Sequence, residues 1–176
     1  MDNLRPDSEQ VKRFFNIIHS DIADEVLISI CTIRSTGGMQ AKFFHPDGED
    51  LLNYVLSASP RKDVWYNVCP FGRRPKWGRG SEADVRLVLG EWLDIDTEDG
   101  VHKKKGLPKY EEAVEFLKTL PWNPSLTVHS GGGVHVYYLF KEPQTIKCEA
   151  DRVTLKSLSE RFQKYVIARM NEKGWS

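Results

Sequence analysis

Segment 91–96 is typical of a β-strand with one buried and one open face, because apolar and acidic residues alternate over 93–96. Leu93 and Ile95 fall on one side of this strand, where we expect burial. Asp94 and Asp96 fall on the other side, and Glu91 faces away from both aspartates. The segment therefore predicts a sheet that carries two carboxylates close together on one face.

Two carboxylates this close repel each other unless a cation neutralises them. Hard oxygen ligands favour Mg²⁺ or Mn²⁺, so Asp94 and Asp96 are candidate metal ligands. The alternative is a strand end with two solvated acids, because the turn residues Asp99 and Gly100 follow closely.

A glycine turn followed by a strand forms a second motif at residues 129–138. Val134 and Val136 share one face of that strand, so His135 should lie on the open face of the sheet. Glycines allow close backbone approach, and their N–H groups can meet phosphate oxygens. The alternative is a glycine hairpin with an incidental histidine. The candidate phosphate-binding residues are Ser130, Gly131, Gly132, Gly133 and His135.

The order of the predicted elements indicates one α/β or α+β domain over residues 1–176. We expect Ser8 to cap the first helix and Pro108 to stand at the start of the third. Segment 85–96 is expected to contain the central strand. The predicted helices cover residues 8–19, 50–56, a segment from 108 and a segment from about 150, and the predicted strands cover 26–33, 40–44, 64–68, 85–96, 126–129 and 134–140.

The charge pattern is informative only locally, because 25 basic residues balance 25 acidic ones. Segment 61–79 carries six cations and one acid, interleaved with aromatic residues. Cations bind phosphates and rings stack on bases, so this segment suits nucleic acid or nucleotide; a solvated loop is the alternative. A second basic cluster, residues 103–105, follows the acidic segment and can contact phosphate or be a solvated turn.

The three cysteines lack the spacing of a disulfide framework or a zinc knuckle. A zinc ion shared by Cys31, His45 and Cys69 is an open alternative. No signal peptide and no membrane-length apolar run is found in the sequence, so we predict a cytoplasmic protein without a membrane partner.

The two motifs together resemble those of the archaeo-eukaryotic primases, specifically the primase-polymerase branch found in plasmids, phages and other mobile elements. That family has an alternating hydrophobic–Asp motif, matched by residues 93–96, and a Ser–glycine–hydrophobic–His motif, matched by residues 130–135. The resemblance implies an RRM-like catalytic sheet, at about residues 81–176, packed with an N-terminal α/β lobe at about 1–80. It places the active site in the cleft between them.

The resemblance also implies template-directed nucleotide transfer with Mg²⁺ or Mn²⁺. Asp94 and Asp96 would ligate metal, while Ser130, the glycines and His135 would hold the incoming nucleoside triphosphate. Arg79 is a candidate nucleotide contact. Arg73, Arg74 and Lys76 are candidate contacts to a single-stranded DNA template.

One family motif is not matched: a further Asp on a strand after the long helix, expected beyond residue 176. We therefore expect a catalytic-domain fragment that binds nucleotide but synthesises poorly, with a helicase or another domain C-terminal to it. Two alternatives remain. Gly80 and Ser81 before the aspartates resemble a polymerase-β-type nucleotidyltransferase, and an incomplete site would suit a non-catalytic module that binds nucleotide or single-stranded nucleic acid.

Overall fold

The computed structural model describes residues 6–20, 22, 25–60, 62–100 and 105–175. These residues form four helices and two three-stranded sheets, which confirms a mixed α+β protein. The chain divides into two compact units. Unit 1 comprises Met1–Leu89 with Glu142–Lys147, and unit 2 comprises Gly90–Lys141 with Cys148–Ser176.

The elements of the first half begin with a helix whose cap differs from the prediction. The Asp7 carboxylate accepts hydrogen bonds from the backbone N–H groups of Glu9 at 2.9 Å and Gln10 at 3.1 Å, so Asp7 is the N-cap. The prediction of Ser8 was wrong by one residue. The elements are α1 (Ser8–Ile18), β1 (Ile28–Ile33), β2 (Met39–Phe44), α2 (Glu49–Ala58), β3 (Val64–Tyr66) and a 3₁₀ turn (Glu82–Asp84).

The first sheet has the order β2-β1-β3, with β1 antiparallel to both neighbours. The predicted pairing of the first two strands is confirmed, with Ile28 opposite Phe44. Apolar side chains of β1 pack against those of α1 and α2 because each helix turns one apolar face inward. The buried residues of this core are Phe15, Ile28, Ile30, Leu51 and Val55.

The second sheet has the order β4-β6-β5, so its middle strand is β6. The prediction of a central strand in segment 85–96 was therefore wrong: β4 lies at an edge. The long β6 pairs on one side with β5, antiparallel, and on the other with β4. The elements here are β4 (Leu87–Asp96), α3 (Tyr110–Lys118), β5 (Leu126–His129), β6 (Gly133–Thr145) and α4 (Glu149–Asn171).

The core of unit 2 covers one face of this second sheet. Leu93 and Ile95 of β4 and Val134 and Val136 of β6 are at most 4% exposed. They pack against apolar side chains of α3 and α4, which confirms the predicted inward faces of both strands. The helix residues buried in this core are Ala113, Phe116, Leu117, Phe162 and Val166.

Parts of the two predicted basic clusters, Arg61 and residues 103–104, lie outside the described residues. None of the described helices is both long enough and apolar enough to cross a membrane.

Candidate functional site

The open side of β4 carries the acid pair. Asp94 is exposed and Asp96 is half-buried. Leu93, which precedes them, and Ile95, which lies between them, are buried under the helices. The alternation follows from strand geometry, since successive side chains point to opposite faces. The sequence prediction that the two aspartates share a face opposite the core is confirmed.

His135 stands beside this acid pair. Its Nε2 atom lies 3.3 Å from Oδ1 of Asp94, and both side chains are about half accessible, at 39% and 50%. Core packing of Val134 and Val136 on the other side of β6 directs His135 to the same face as the aspartates. The structure thus brings together an imidazole and a carboxylate that lie 41 positions apart in the chain.

The oxygen donors of Asp94 and Asp96 suit Mg²⁺ or Mn²⁺, because such ions are commonly held by one or two carboxylates and keep several waters. Over the described ranges, no group of three or more His, Cys, Asp and Glu side chains is arranged to hold a metal ion. Cys31, His45 and Cys69 are all described, so the structure does not assemble the zinc site considered from the sequence.

Two of the three turn glycines have structural roles in bringing β6 against β4. A Cβ atom on Gly133 would lie 2.1 Å from the Ile95 carbonyl oxygen, which no side chain tolerates. The Gly132 carbonyl accepts hydrogen bonds from the Thr97 backbone N–H at 3.0 Å and hydroxyl at 3.2 Å. Close backbone approach was predicted, but the partner found here is the neighbouring strand.

The remaining parts of the turn are more open. Gly131 has a φ of +84°, a Cβ added to it would meet no other described atom within 4 Å, and Ser130 is exposed. The Ser130 backbone N–H donates to the Gly133 carbonyl at 3.0 Å, which leaves the Ser130 hydroxyl as this residue's group for a ligand. The Ser130 backbone N–H is therefore already used within the turn.

Sequence reasoning missed the hydrogen bonds that join β4 to helix α4. Glu91 is 7% exposed, and its Oε2 accepts a hydrogen bond from the Ser159 hydroxyl of α4 at 2.7 Å. Burial raises the pKa of Glu91, and the Ser159 hydrogen bond acts in the opposite direction. Gln163 of α4 also donates to the Trp92 carbonyl at 2.8 Å. The direction of Glu91 followed from alternation, but no local signal indicated partners some 70 residues away.

A second unanticipated contact involves His129, the last residue of β5. The rings of His129 and Tyr110 have centroids 4.4 Å apart, and the Tyr110 backbone N–H donates to Asp99 Oδ2 at 3.0 Å. Asp99 is thereby tied to the start of α3. Its place in an Asp–Gly turn gave no indication of this role.

The predicted basic contacts are found in unit 1. Arg73, Arg74, Lys76 and Arg79 are all exposed on the segment between β3 and the 3₁₀ turn. Gly80 and Ser81, which suggested a polymerase-β-type enzyme, have local roles. A Cβ on Gly80 would lie 2.5 Å from the Phe71 ring, and the Ser81 hydroxyl donates to Asp84 at 2.8 Å.

Comparisons with known proteins leave the family open. No protein-family model matches the chain, and searches of curated proteins and of solved structures returned no significant match. The resemblance to primase-polymerases therefore rests on the two motifs and stays a prediction.

Proposed function

We propose that this chain is the nucleotidyl-transfer domain of a primase-polymerase, which copies single-stranded DNA from nucleoside triphosphates with Mg²⁺ or Mn²⁺. One observation carries the proposal: Asp94 and Asp96 share the open face of β4, and His135 reaches Asp94 from the adjacent strand. In this proposal the β4-β6-β5 sheet is the RRM-like catalytic sheet.

In this proposal, different residues bind the metal ion and the phosphates. Asp94 and Asp96 would hold the divalent ion through carboxylate oxygens. Such an ion would supply positive charge that stabilises the negative charge developing on phosphate during an in-line displacement. His135 Nε2, which lies beside Asp94, could donate a hydrogen bond to a phosphate oxygen, and the Ser130 hydroxyl could do the same.

The acid pair is tested by replacing Asp94 or Asp96 with Asn and measuring Mn²⁺ binding by electron paramagnetic resonance. Each variant should bind Mn²⁺ at least about tenfold more weakly, since even outer-shell partners of a metal contribute this much. Template-directed synthesis, measured in the complete protein, should be lost. Glu111→Gln on α3 removes an exposed acid of the same unit and should change neither result.

Full Mn²⁺ affinity and full synthesis in both Asn variants would refute the proposed role of the pair. Synthesis on a single-stranded template that carries no primer distinguishes this proposal from a polymerase-β-type enzyme, because such an enzyme extends the 3′ end of an existing strand.

A non-catalytic nucleotide-binding module is the second candidate. It is favoured by the count of acids, because no third metal-ligating side chain joins Asp94 and Asp96 within the described residues. Mn²⁺-dependent nucleotide binding without any incorporation, in the complete protein, would support this candidate over the first.

A further inference from the structure

A loop of unit 1, residues 71–80, is fixed at both ends; we call it the basic loop. At its start, Phe71 is 4% exposed and exchanges two backbone hydrogen bonds of 2.8 Å with Leu27. At its end, Gly80 packs directly against the Phe71 ring, where a Cβ would lie 2.5 Å away. The two ends of the loop therefore meet, and the residues between them project from a defined base.

The basic loop exposes an aromatic ring among cations. Trp77 is 80% exposed, the highest value among the exposed large hydrophobic residues that the structure describes. Four exposed cations share the loop with it, and within the described part of the chain none of them forms an ion pair. These cations are Arg73, Arg74, Lys76 and Arg79.

Two of the cations are oriented by strand β2. The Arg74 guanidinium lies 5.4 Å from the centre of the Phe43 ring, within the range of a cation–π contact. Arg79 Nη1 lies 3.5 Å from the sulfur of Met39. Both contacts use the polarisable surface of a partner and leave the positive charges without a counter-ion among the described residues.

Both features of the basic loop, the exposed indole and the exposed positive charges, are open to a ligand. An indole exposed to this degree loses the burial that usually stabilises a large aromatic residue. Four like charges in ten residues repel one another. A ligand that suits both features must present negative charges and flat, uncovered π-faces at short intervals.

We propose that the basic loop binds single-stranded nucleic acid, with Trp77 stacked on an unpaired base and Arg73, Arg74 and Lys76 on the flanking phosphates. Unpaired bases offer free faces to an aromatic side chain, whereas bases in a duplex already stack on each other. This inference rests on the proposed function, because it assigns the template strand to the basic loop. The binding requires neither metal nor nucleotide, so its failure can be distinguished from a failure of the proposed metal site at Asp94 and Asp96.

The stacking step is tested with a fluorescent 20-nucleotide single-stranded DNA in EDTA, titrated with the wild-type chain and with Trp77 variants. Trp77→Ala should weaken binding about 5- to 150-fold, the range expected for one base–aromatic stack. Trp77→Phe should recover most of the affinity. Trp122→Ala, which removes a tryptophan of unit 2 that is 42% exposed, should bind normally once circular dichroism shows that it is folded.

The charge step is tested by comparing two triple variants with equal net charge. Replacing Arg73, Arg74 and Lys76 with Ala should lower the slope of log affinity against log salt by about 2, because each phosphate contact on a single strand contributes about 0.7. Replacing Lys12, Arg13 and Lys164, three exposed helix cations, should leave the slope nearly unchanged.

Normal binding by folded Trp77→Ala, or equal affinity for the matching duplex, would overturn the proposed stacking. Equal slopes for the two triple variants would show that only net charge matters and would overturn the assignment to the basic loop.

Discussion

At the scale of single residues, the contact between His135 and Asp94 contributes little to folding. Both side chains are about half exposed, and surface contacts of this kind typically contribute about 0–1 kcal/mol. The two groups are therefore available to a ligand at small cost to stability. Their availability distinguishes them from Glu91, whose buried carboxyl is committed to Ser159.

We predict that His135→Ala weakens binding of a nucleoside triphosphate by about tenfold or more, measured by calorimetry with Mn²⁺. A hydrogen bond to a charged group is worth about 1.5–3 kcal/mol, which corresponds to this change. His129→Ala is the matched control, because His129 packs on Tyr110 instead of reaching the acid pair. Equal affinities for the wild type and His135→Ala would exclude a role for His135 in holding phosphate.

At the scale of elements, sequence reasoning succeeded where covalent geometry fixes the outcome. The alternation along β4 and β6 determines which side chains enter the core, so the faces of Asp94 and His135 could be predicted. It failed for strand order, because pairing depends on contacts between distant segments. The glycine turn was anticipated as a place of close approach, but only the folded chain shows that Ile95 is what Gly133 approaches.

We predict that Gly133→Ala destabilises the protein by more than about 2 kcal/mol in urea denaturation, because its Cβ must displace the backbone of β4. Metal binding by Asp94 and Asp96 should weaken with it. Gly131→Asn changes the same turn at a site with open space, and Asn tolerates a positive φ. Equal stability of the two variants would show that the close approach of β6 to β4 does not depend on Gly133.

At the scale of the whole molecule, the division into units was beyond local sequence patterns. We expected a boundary near residue 80, whereas unit 1 extends to Leu89 and regains Glu142–Lys147. Two hydrogen bonds join this segment to unit 1, since the Ile146 N–H donates to the Arg86 carbonyl at 2.8 Å and the Arg86 guanidinium donates to the Ile146 carbonyl at 2.6 Å. Partners 60 positions apart leave no trace in sequence periodicity.

Each unit contains a titratable group whose pKa is shifted by burial. The two shifts change the free energy of unfolding in opposite directions as the pH falls. In unit 1, burial lowers the pKa of His19 from 6.5 to about 4, partly offset by the Pro46 carbonyl. Unfolded chains then bind a proton that folded chains do not, so the free energy of unfolding falls as pH drops from 6.5 towards 4. In unit 2, burial raises the pKa of Glu91, so acid relieves the cost of its buried charge.

We predict that acid weakens unit 1 before unit 2. Hydrogen exchange at pH 7, 6 and 5, corrected for intrinsic rates, should show protection falling for β1–β2 amides by up to about 1.4 kcal/mol per pH unit and staying higher for β5–β6 amides. His19→Phe, which keeps the ring that stacks on Phe15 but cannot take up a proton, should abolish this loss. The control variant His45→Gln replaces an exposed histidine of the same unit. It should leave the acid-induced loss of protection unchanged. An undiminished acid loss in His19→Phe would show that another group of unit 1 is responsible.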